Sequence, residues 1–394
     1  MSLATRLAGR IKLRDKHVIT RMADMALGLD DVIKLGRGDP DLDTPPHIVE
    51  AAQKALANGA THYTHPLGMP ELRAAIAQDF ARSGGAEYGP DQIVVTPGGQ
   101  QAMFVIALAL LEEGDEILVP CPGYNPYHQA AELSGATLVN INTTMETNFT
   151  VTAEMVEAHI TPRSKVLVLI NPNNPTGTVT PPDDVAKIAE VAKRHDLIVI
   201  SDEIYARLTY GNNSVQPVAA LPGMAERTIT LSGASKAYAM TGWRVGWFAG
   251  PPELMPAMAE VNHAFAICAP AVSQHAALAA LTGPQECVEE MRQTYDDRRI
   301  ALCAGLRSIG LPYADPQGAF YVYADVSGIG LPASAFCERL LADGRVMIYP
   351  GMVYGDHTDD FVRMSLTQTV PRIDEAVSRI AGVVEAIRRE RADA

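Results

Sequence analysis

Positive charge is scarce in this chain: 32 Lys and Arg face 46 Asp and Glu, for a formal net charge of −14 and a pI near 5.2. Binding a polyanion takes Lys and Arg gathered on one face. The one basic cluster, in the C-terminal RRERADA, reads as a solvated helix end. Nucleic acid is therefore not an expected partner. Cysteine is sparse too. Cys121, Cys268, Cys287, Cys303 and Cys337 stand singly with no CxxC pair, which argues against a disulfide framework and a zinc site and fits a reducing compartment. Long apolar runs are missing: the longest, AMFVIALALL at 102–111, is about half a membrane span and reads as a buried helix, so no membrane partner is expected. No apolar stretch of signal-peptide type follows the first methionine, and a cytoplasmic protein is expected. Internal repeats and low-complexity linkers are absent as well. His62 and His65 flank Tyr63 without an evident third ligand, so no metal is expected.

What is present is the texture of a folded chain, 394 residues with 47% hydrophobic and 20% charged, long enough for two cores. From residue 92 short apolar runs alternate with helical patterns: QIVVT, DEILVP, ATLVNIN, KVLVLINP, LIVISDEIY, TITLSG and RVGWFAG. Strands that are apolar throughout are buried on both faces, and helices between them imply parallel neighbours. The fold class expected is α/β: a mostly parallel seven-stranded sheet sandwiched by helices, with a smaller α+β domain. Residues 46–285 form the expected large domain. Residues 1–45, with little strand pattern, form an arm that joins 286–394 in the small domain.

Several strand ends carry chemistry. TPGGQQAMF places Gly98 and Gly99 between a strand and a helix, where freed backbone N–H groups make an anion site. Taken alone it reads more simply as a tight turn, and neither the P-loop lysine nor a full GxGxxG accompanies it. NPNNPTG (171–177) is by itself a turn, yet it closes a buried strand where open α/β sheets bind ligands, and Asn174 can donate there. SDEIY sets Asp202 at a sheet rim. The residue serves equally as a cap or as a buried carboxylate in need of a protonated partner, with Tyr205 one helical turn on. SGASKAYAMTGWRVG puts Lys236 among small residues, with room for a flat group bound to its amine, and Arg244 eight positions later beside Ser235. A lone lysine after serine is usually a surface residue. One ligand satisfies all of these together. It carries a phosphate for Gly99, Gln100, Ser235 and Arg244, a ring nitrogen for Asp202, a ring oxygen for Tyr205 and Asn174, and an aldehyde for Lys236. That ligand is pyridoxal 5′-phosphate.

At these residues the sequence resembles the class I aminotransferases of the aspartate aminotransferase fold type (PLP fold type I). GDPDLDTP, YTHPLGMPELR, NPNNPTG, SDEIY and SKAYAMTGWRVG match that family's motifs in order and spacing over nearly the whole chain. The resemblance implies a catalytic trio of Lys236, Asp202 and Tyr205, with Lys236 as the Schiff-base lysine and proton shuttle. Asp202 would face the ring nitrogen, and Tyr205 and Asn174 the ring oxygen. It implies Tyr124 stacked on the coenzyme, Arg363 of FVRMSL gripping the substrate α-carboxylate, and Gly38 closing over that carboxylate. Tyr63 would reach the phosphate of a neighbouring subunit, which implies a homodimer with composite sites.

The activity implied is a ping-pong transfer of an amino group from an L-amino acid to a 2-oxo acid, of aspartate, aromatic, alanine-like or broad specificity. Gln100, Gln101 and Gly123 depart from residues common in aspartate-preferring members, and no clear second arginine for a distal carboxylate is present. Arg37, beside Gly38, is one candidate for that role, against the plainer reading of a solvated or ion-paired residue of the arm. A lyase or synthase on the same scaffold, of the C–S lyase or cyclopropane-forming type, is the alternative. A coenzyme-binding regulator is remote, because only about 45 residues precede the large domain, fewer than a DNA-binding domain needs.

Overall fold

The computed structural model describes Ala8 and residues 18–393; the expected arm's residues 1–7 and 9–17, and residue 394, lie outside the described residues. The strands are β1 (Ile33–Lys34), β2 (Ile93–Thr96), β3 (Glu116–Cys121), β4 (Thr137–Asn142), β5 (Ser164–Ile170), β6 (Ile198–Asp202), β7 (Thr228–Gly233), β8 (Gly246–Ala249), β9 (Tyr321–Asp325), β10 (Val346–Met347), β11 (Tyr349–Pro350) and β12 (Phe361–Ser365). Seven of them form one sheet in the order β2-β8-β7-β6-β5-β3-β4. Only β8 is antiparallel to its neighbours, β2 and β7. Every residue of β2, β3 and β8 is buried, β2 although it ends the sheet, whereas β4 at the opposite edge is exposed at both ends.

Helices cover this sheet for legible reasons. Pro182–Arg194 opens on Pro182, Asp183 and Asp184 and closes on Lys193 and Arg194, the charge order that a helix dipole favours. Its buried face carries Val185, Ile188 and Ala192, spaced at the helical period. The helix Gly99–Leu110 stops one residue before the apolar run at 102–111 ends, because Leu111 is already extended. Strand β6 also ends early, at Asp202. The Asp202 carboxylate accepts the N–H of Ile204 at 3.2 Å, a local bond that replaces the ladder and bends the chain into a turn.

The second core gathers around a three-stranded antiparallel sheet, β11-β12-β9, backed by the helices Glu286–Ser308 and Val370–Ala392. Met22, Ile33 and Leu35 of the arm are buried in it. The arm has more strand character than its sequence suggested: β1 pairs in parallel with β10. Because β3, β5, β6 and β7 run parallel, Cys121, Ile170, Asp202 and Gly233 all finish at one edge of the large sheet. Antiparallel β8 starts at that edge, with Gly246 between Gly233 and Thr96. The loops leaving that edge make the site.

Candidate active site

A cavity of about 220 Å³ opens at this sheet edge, and Gly99, Gln100, Tyr124, Asn174, Asp202, Tyr205, Ser235, Lys236, Arg244 and Gly38 all line it. Ten positions singled out from the sequence thus converge on one space. Met103, Ile170, Ile204 and Leu231 supply apolar walls.

Lys236 and Arg244 meet because both sit in the connection between β7 and β8, whose ends pair as Gly233 with Gly246. Glycine at two positions makes this approach possible. A Cβ on Gly98, which has φ +85°, would lie 2.6 Å from Arg244 Nη2. One on Gly246 would lie 2.5 Å from the backbone nitrogen of Gly99. The Arg244 guanidinium therefore rests against the start of the helix Gly99–Leu110, where the first N–H groups point outward. Its Nη1 donates to the Thr241 carbonyl at 2.9 Å.

The Lys236 amine donates to the Gly38 carbonyl at 2.7 Å and lies 5.9 Å and 5.6 Å from the ring centroids of Tyr205 and Phe320. Burial is the main cause that brings its pKa down to about 8, and the cations Arg363 and Arg244 add to the effect against the opposing pull of Asp39 and Asp202. Asp202 is buried, accepts from Tyr127 O–H at 2.9 Å, and is pushed up to about 6 by desolvation. Tyr205 O–H shares a hydrogen bond of 2.9 Å with Tyr321 O–H, and burial raises the pKa of both.

Arg363 lies behind the cavity wall. Its Nη1 donates to Asn174 Oδ1 at 3.0 Å and its Nη2 to the Gly36 carbonyl at 2.6 Å. The guanidinium sits 4.3 Å from the Tyr321 ring centroid and 4.7 Å from that of Tyr354, and the buried Nε has no partner. Burying a cation is costly unless it is paired, so an unpartnered Nε marks a place for an anion.

Two sequence candidates lie elsewhere. Tyr63 is 77% exposed and does not line the cavity of its own chain. Arg37 points outside, in an ion pair with Asp39 at 2.9 Å. Sequence reading missed Tyr321, Tyr127 and Asp39. The FYVYADV alternation marks a strand, but which face Tyr321 presents depends on the large domain opposite.

The geometry fits pyridoxal 5′-phosphate on points of this structure. A helix start with Arg244 and Ser235 suits a dianion. A buried carboxylate held by neutral donors suits a protonated ring nitrogen, and an amine at the cavity wall with depressed pKa suits an aldehyde. The sequence profile of the family described as "Aminotransferase class I and II" matches residues 30–380. Aspartate aminotransferase of Pyrococcus abyssi is 38% identical over 381 residues, 96% of this chain and 98% of that one. Aromatic-amino-acid aminotransferase 2 of Thermococcus litoralis is 36% identical over 382 residues, 96% of this chain and 98% of that one. The structure of Thermus thermophilus aspartate aminotransferase with maleate matches with a TM-score of 0.90 at 38% identity, covering 96% of this chain and 99% of that one.

The fold and the site together define an enzyme that works on amino acids with a carbonyl coenzyme. The chain belongs to the class I and II aminotransferases: it is a transaminase, and its coenzyme is pyridoxal 5′-phosphate.

Proposed function

We propose that Lys236, Asp202 and Arg363 carry the transfer of an amino group from an L-amino acid of the aspartate or aromatic class to a 2-oxo acid. The observation that carries this reading is the unpartnered Nε of buried Arg363, set behind Gly38 and Asn174, while the Lys236 amine bonds to Gly38 itself. Names of relatives such as the P. abyssi and T. litoralis enzymes support both donor classes.

When bound, the coenzyme supplies an electron sink for the electrons of the substrate Cα–H bond. Gly99, Gln100, Ser235 and Arg244 would hold its phosphate, Tyr124 its ring face, Tyr205 and Asn174 its ring oxygen, and Asp202 its ring nitrogen. Arg363 grips the substrate carboxylate, which orients Cα toward the amine. Lys236 Nζ takes the Cα proton in one half-reaction and returns a proton to Cα in the other. A second 2-oxo acid completes the ping-pong cycle. The apolar walls limit water at the amine and help keep its pKa low.

The Lys236 amine must be neutral to attack a carbonyl. Its pKa is lowered to about 8, so the protonated, unreactive form dominates below that pH. The rate of covalent coenzyme attachment to the full-length chain is expected to fall about tenfold per pH unit below pH 8 and to level off above it. Stopped-flow absorbance checks this, and a plateau beginning only near pH 10 would mean an ordinary exposed lysine.

A partner subunit completes the site in this reading. Exposed Tyr63 would reach the neighbouring phosphate, and Phe265 (55% exposed) and Ile267 (38%) offer apolar surface for a homodimer. We place the enzyme in the cytoplasm, on its unpaired cysteines. Among the described residues no helix is long and apolar enough to cross a membrane. We take 46–285 as the coenzyme domain and 1–45 with 286–394 as the arm and small domain; the buried cluster around β11-β12-β9 is drawn mainly from the latter, with Phe149, Tyr205, Leu208 and Tyr210 joining it from the coenzyme domain.

A panel of amino donors, each given alone to the purified holoenzyme, tests the reading. Stoichiometric 2-oxo acid without ammonia is expected, whereas ammonia release would indicate a lyase. Arg37 is neutralised by Asp39, and such exposed pairs contribute little. Arg37→Ala is expected to lower kcat/KM less than about threefold on acidic and apolar donors alike. A loss confined to acidic donors would make Arg37 the distal-carboxylate contact.

A further inference from the structure

Asp202 is buried, yet no cationic side chain pairs with it directly among the described residues; two neutral donors hold it. Ile204 N–H reaches Oδ1 and Tyr127 O–H reaches Oδ2. The titratable and charged groups that face it are Lys236 from the β7–β8 connection, Glu203 beside it in the chain, and Tyr124 and Tyr127 from the segment after β3. Lys236 favours the ionised form of Asp202 only weakly compared with the burial that opposes it.

Tyr127 is placed for this contact by its helix. Its N–H donates to the Tyr124 carbonyl at 3.1 Å, so the opening of the helix Pro126–Ser134 sends Tyr124 to the cavity and Tyr127 to the back of Asp202. The Tyr127 ring is 1% exposed and packs with Ile170, Ile200 and Leu231. Burial, and then the Asp202 charge, hold its phenol pKa well above the ordinary value. It therefore stays neutral and acts as a fixed donor.

We propose that Tyr127 is a positioning residue that keeps the Asp202 carboxylate ionised and aimed at the coenzyme ring nitrogen, an inference that rests on the role given to Asp202 above. A carboxylate in an apolar layer stays charged only as far as donors replace the lost water. A phenylalanine at 127 keeps the packing and removes one of two such donors. Proton uptake by Asp202 then moves to higher pH, and the ring nitrogen loses its anion.

The test is titration of pyridoxal 5′-phosphate into the full-length chain freed of coenzyme, followed by fluorescence across pH. In the native chain, affinity should weaken as pH drops through about 6, where Asp202 takes a proton. In Tyr127→Phe that inflection should move up by roughly one pH unit or more, with affinity at neutral pH lowered about tenfold. Placing 3-fluorotyrosine at 127 keeps the shape and strengthens the donor, so the inflection should move down. This variant also decides the matter should the phenylalanine variant fold poorly. An inflection unmoved by fluorotyrosine, or a Tyr127→Phe curve weakened equally at every pH, overturns the proposal as mere packing. Asp202→Asn separates the two readings. If it binds coenzyme as tightly as the native chain, the role of Asp202 falls and this inference falls with it. If it binds weakly while Tyr127 variants shift nothing, only the inference falls.

Discussion

Lys236→Ala is expected to lower turnover by at least about 10⁴-fold, because the side chain is read as both carbonyl-attacking nucleophile and proton carrier, and a positioned acid–base group alone contributes up to about that factor. The rest of the cradle is untouched by the change. Arg244, Ser235 and the start of the helix Gly99–Leu110 remain, so the variant should still bind the coenzyme, now without a covalent bond. Borohydride trapping followed by peptide mapping is the check. Wild type should carry the label on Lys236 and the variant on no residue. Residual turnover within tenfold of wild type, or label on another amine, would remove Lys236 from the mechanism. The Gly38 carbonyl loses its donor in this variant, but it lies at the cavity wall where water can replace that bond.

Arg363→Ala is the second large effect. Truncating a buried, hydrogen-bonded charge that grips a substrate anion costs about 2–5 kcal/mol, so kcat/KM for amino acids should fall between about 30-fold and about 4,000-fold. Coenzyme affinity should change little, since Arg363 stands behind Asn174 and Gly38 and does not line the cavity. Arg363→Lys should recover only a small part of the loss. An ammonium is a point charge without the guanidinium fork, and it lacks the flat face that lies over Tyr321 and Tyr354. Steady-state kinetics on two unlike donors, with a thermal melt as a control for folding, decides the matter. Equal KM values for the variant and wild type would place the carboxylate elsewhere.

The residues legible before folding are those whose chemistry is local. Lys236 among small residues, Asp202 at the end of LIVIS and Asn174 in NPNNPTG each announce themselves by type and by position at a strand end. Apart from the edge strand β4, the strands of the large sheet were legible because a strand buried on both faces has no polar alternation to blur it. The positions that escaped are defined by partners far along the chain. Tyr205 finds Tyr321 and Asp202 finds Tyr127, contacts made across 116 and 75 residues. Whether Arg37 would meet a substrate or an ion-pair partner was open, because its pairing with Asp39 is a matter of side-chain direction in a loop. Tyr63 is exposed on its own chain, so its proposed part in the site depends on a second subunit that one chain's sequence does not position.

The sequence by itself determined the parts: strands apolar enough to be buried, helices with their charges at the correct ends, and a set of reactive side chains at strand termini. Only the tertiary structure decided how those side chains behave. Ionisation depends on how much water is removed and which donors replace it. Enclosure brings the Lys236 amine down to about 8 and lifts the Asp202 carboxyl to about 6, moving an ordinary lysine and an ordinary aspartate toward the range where protons can be exchanged near neutral pH.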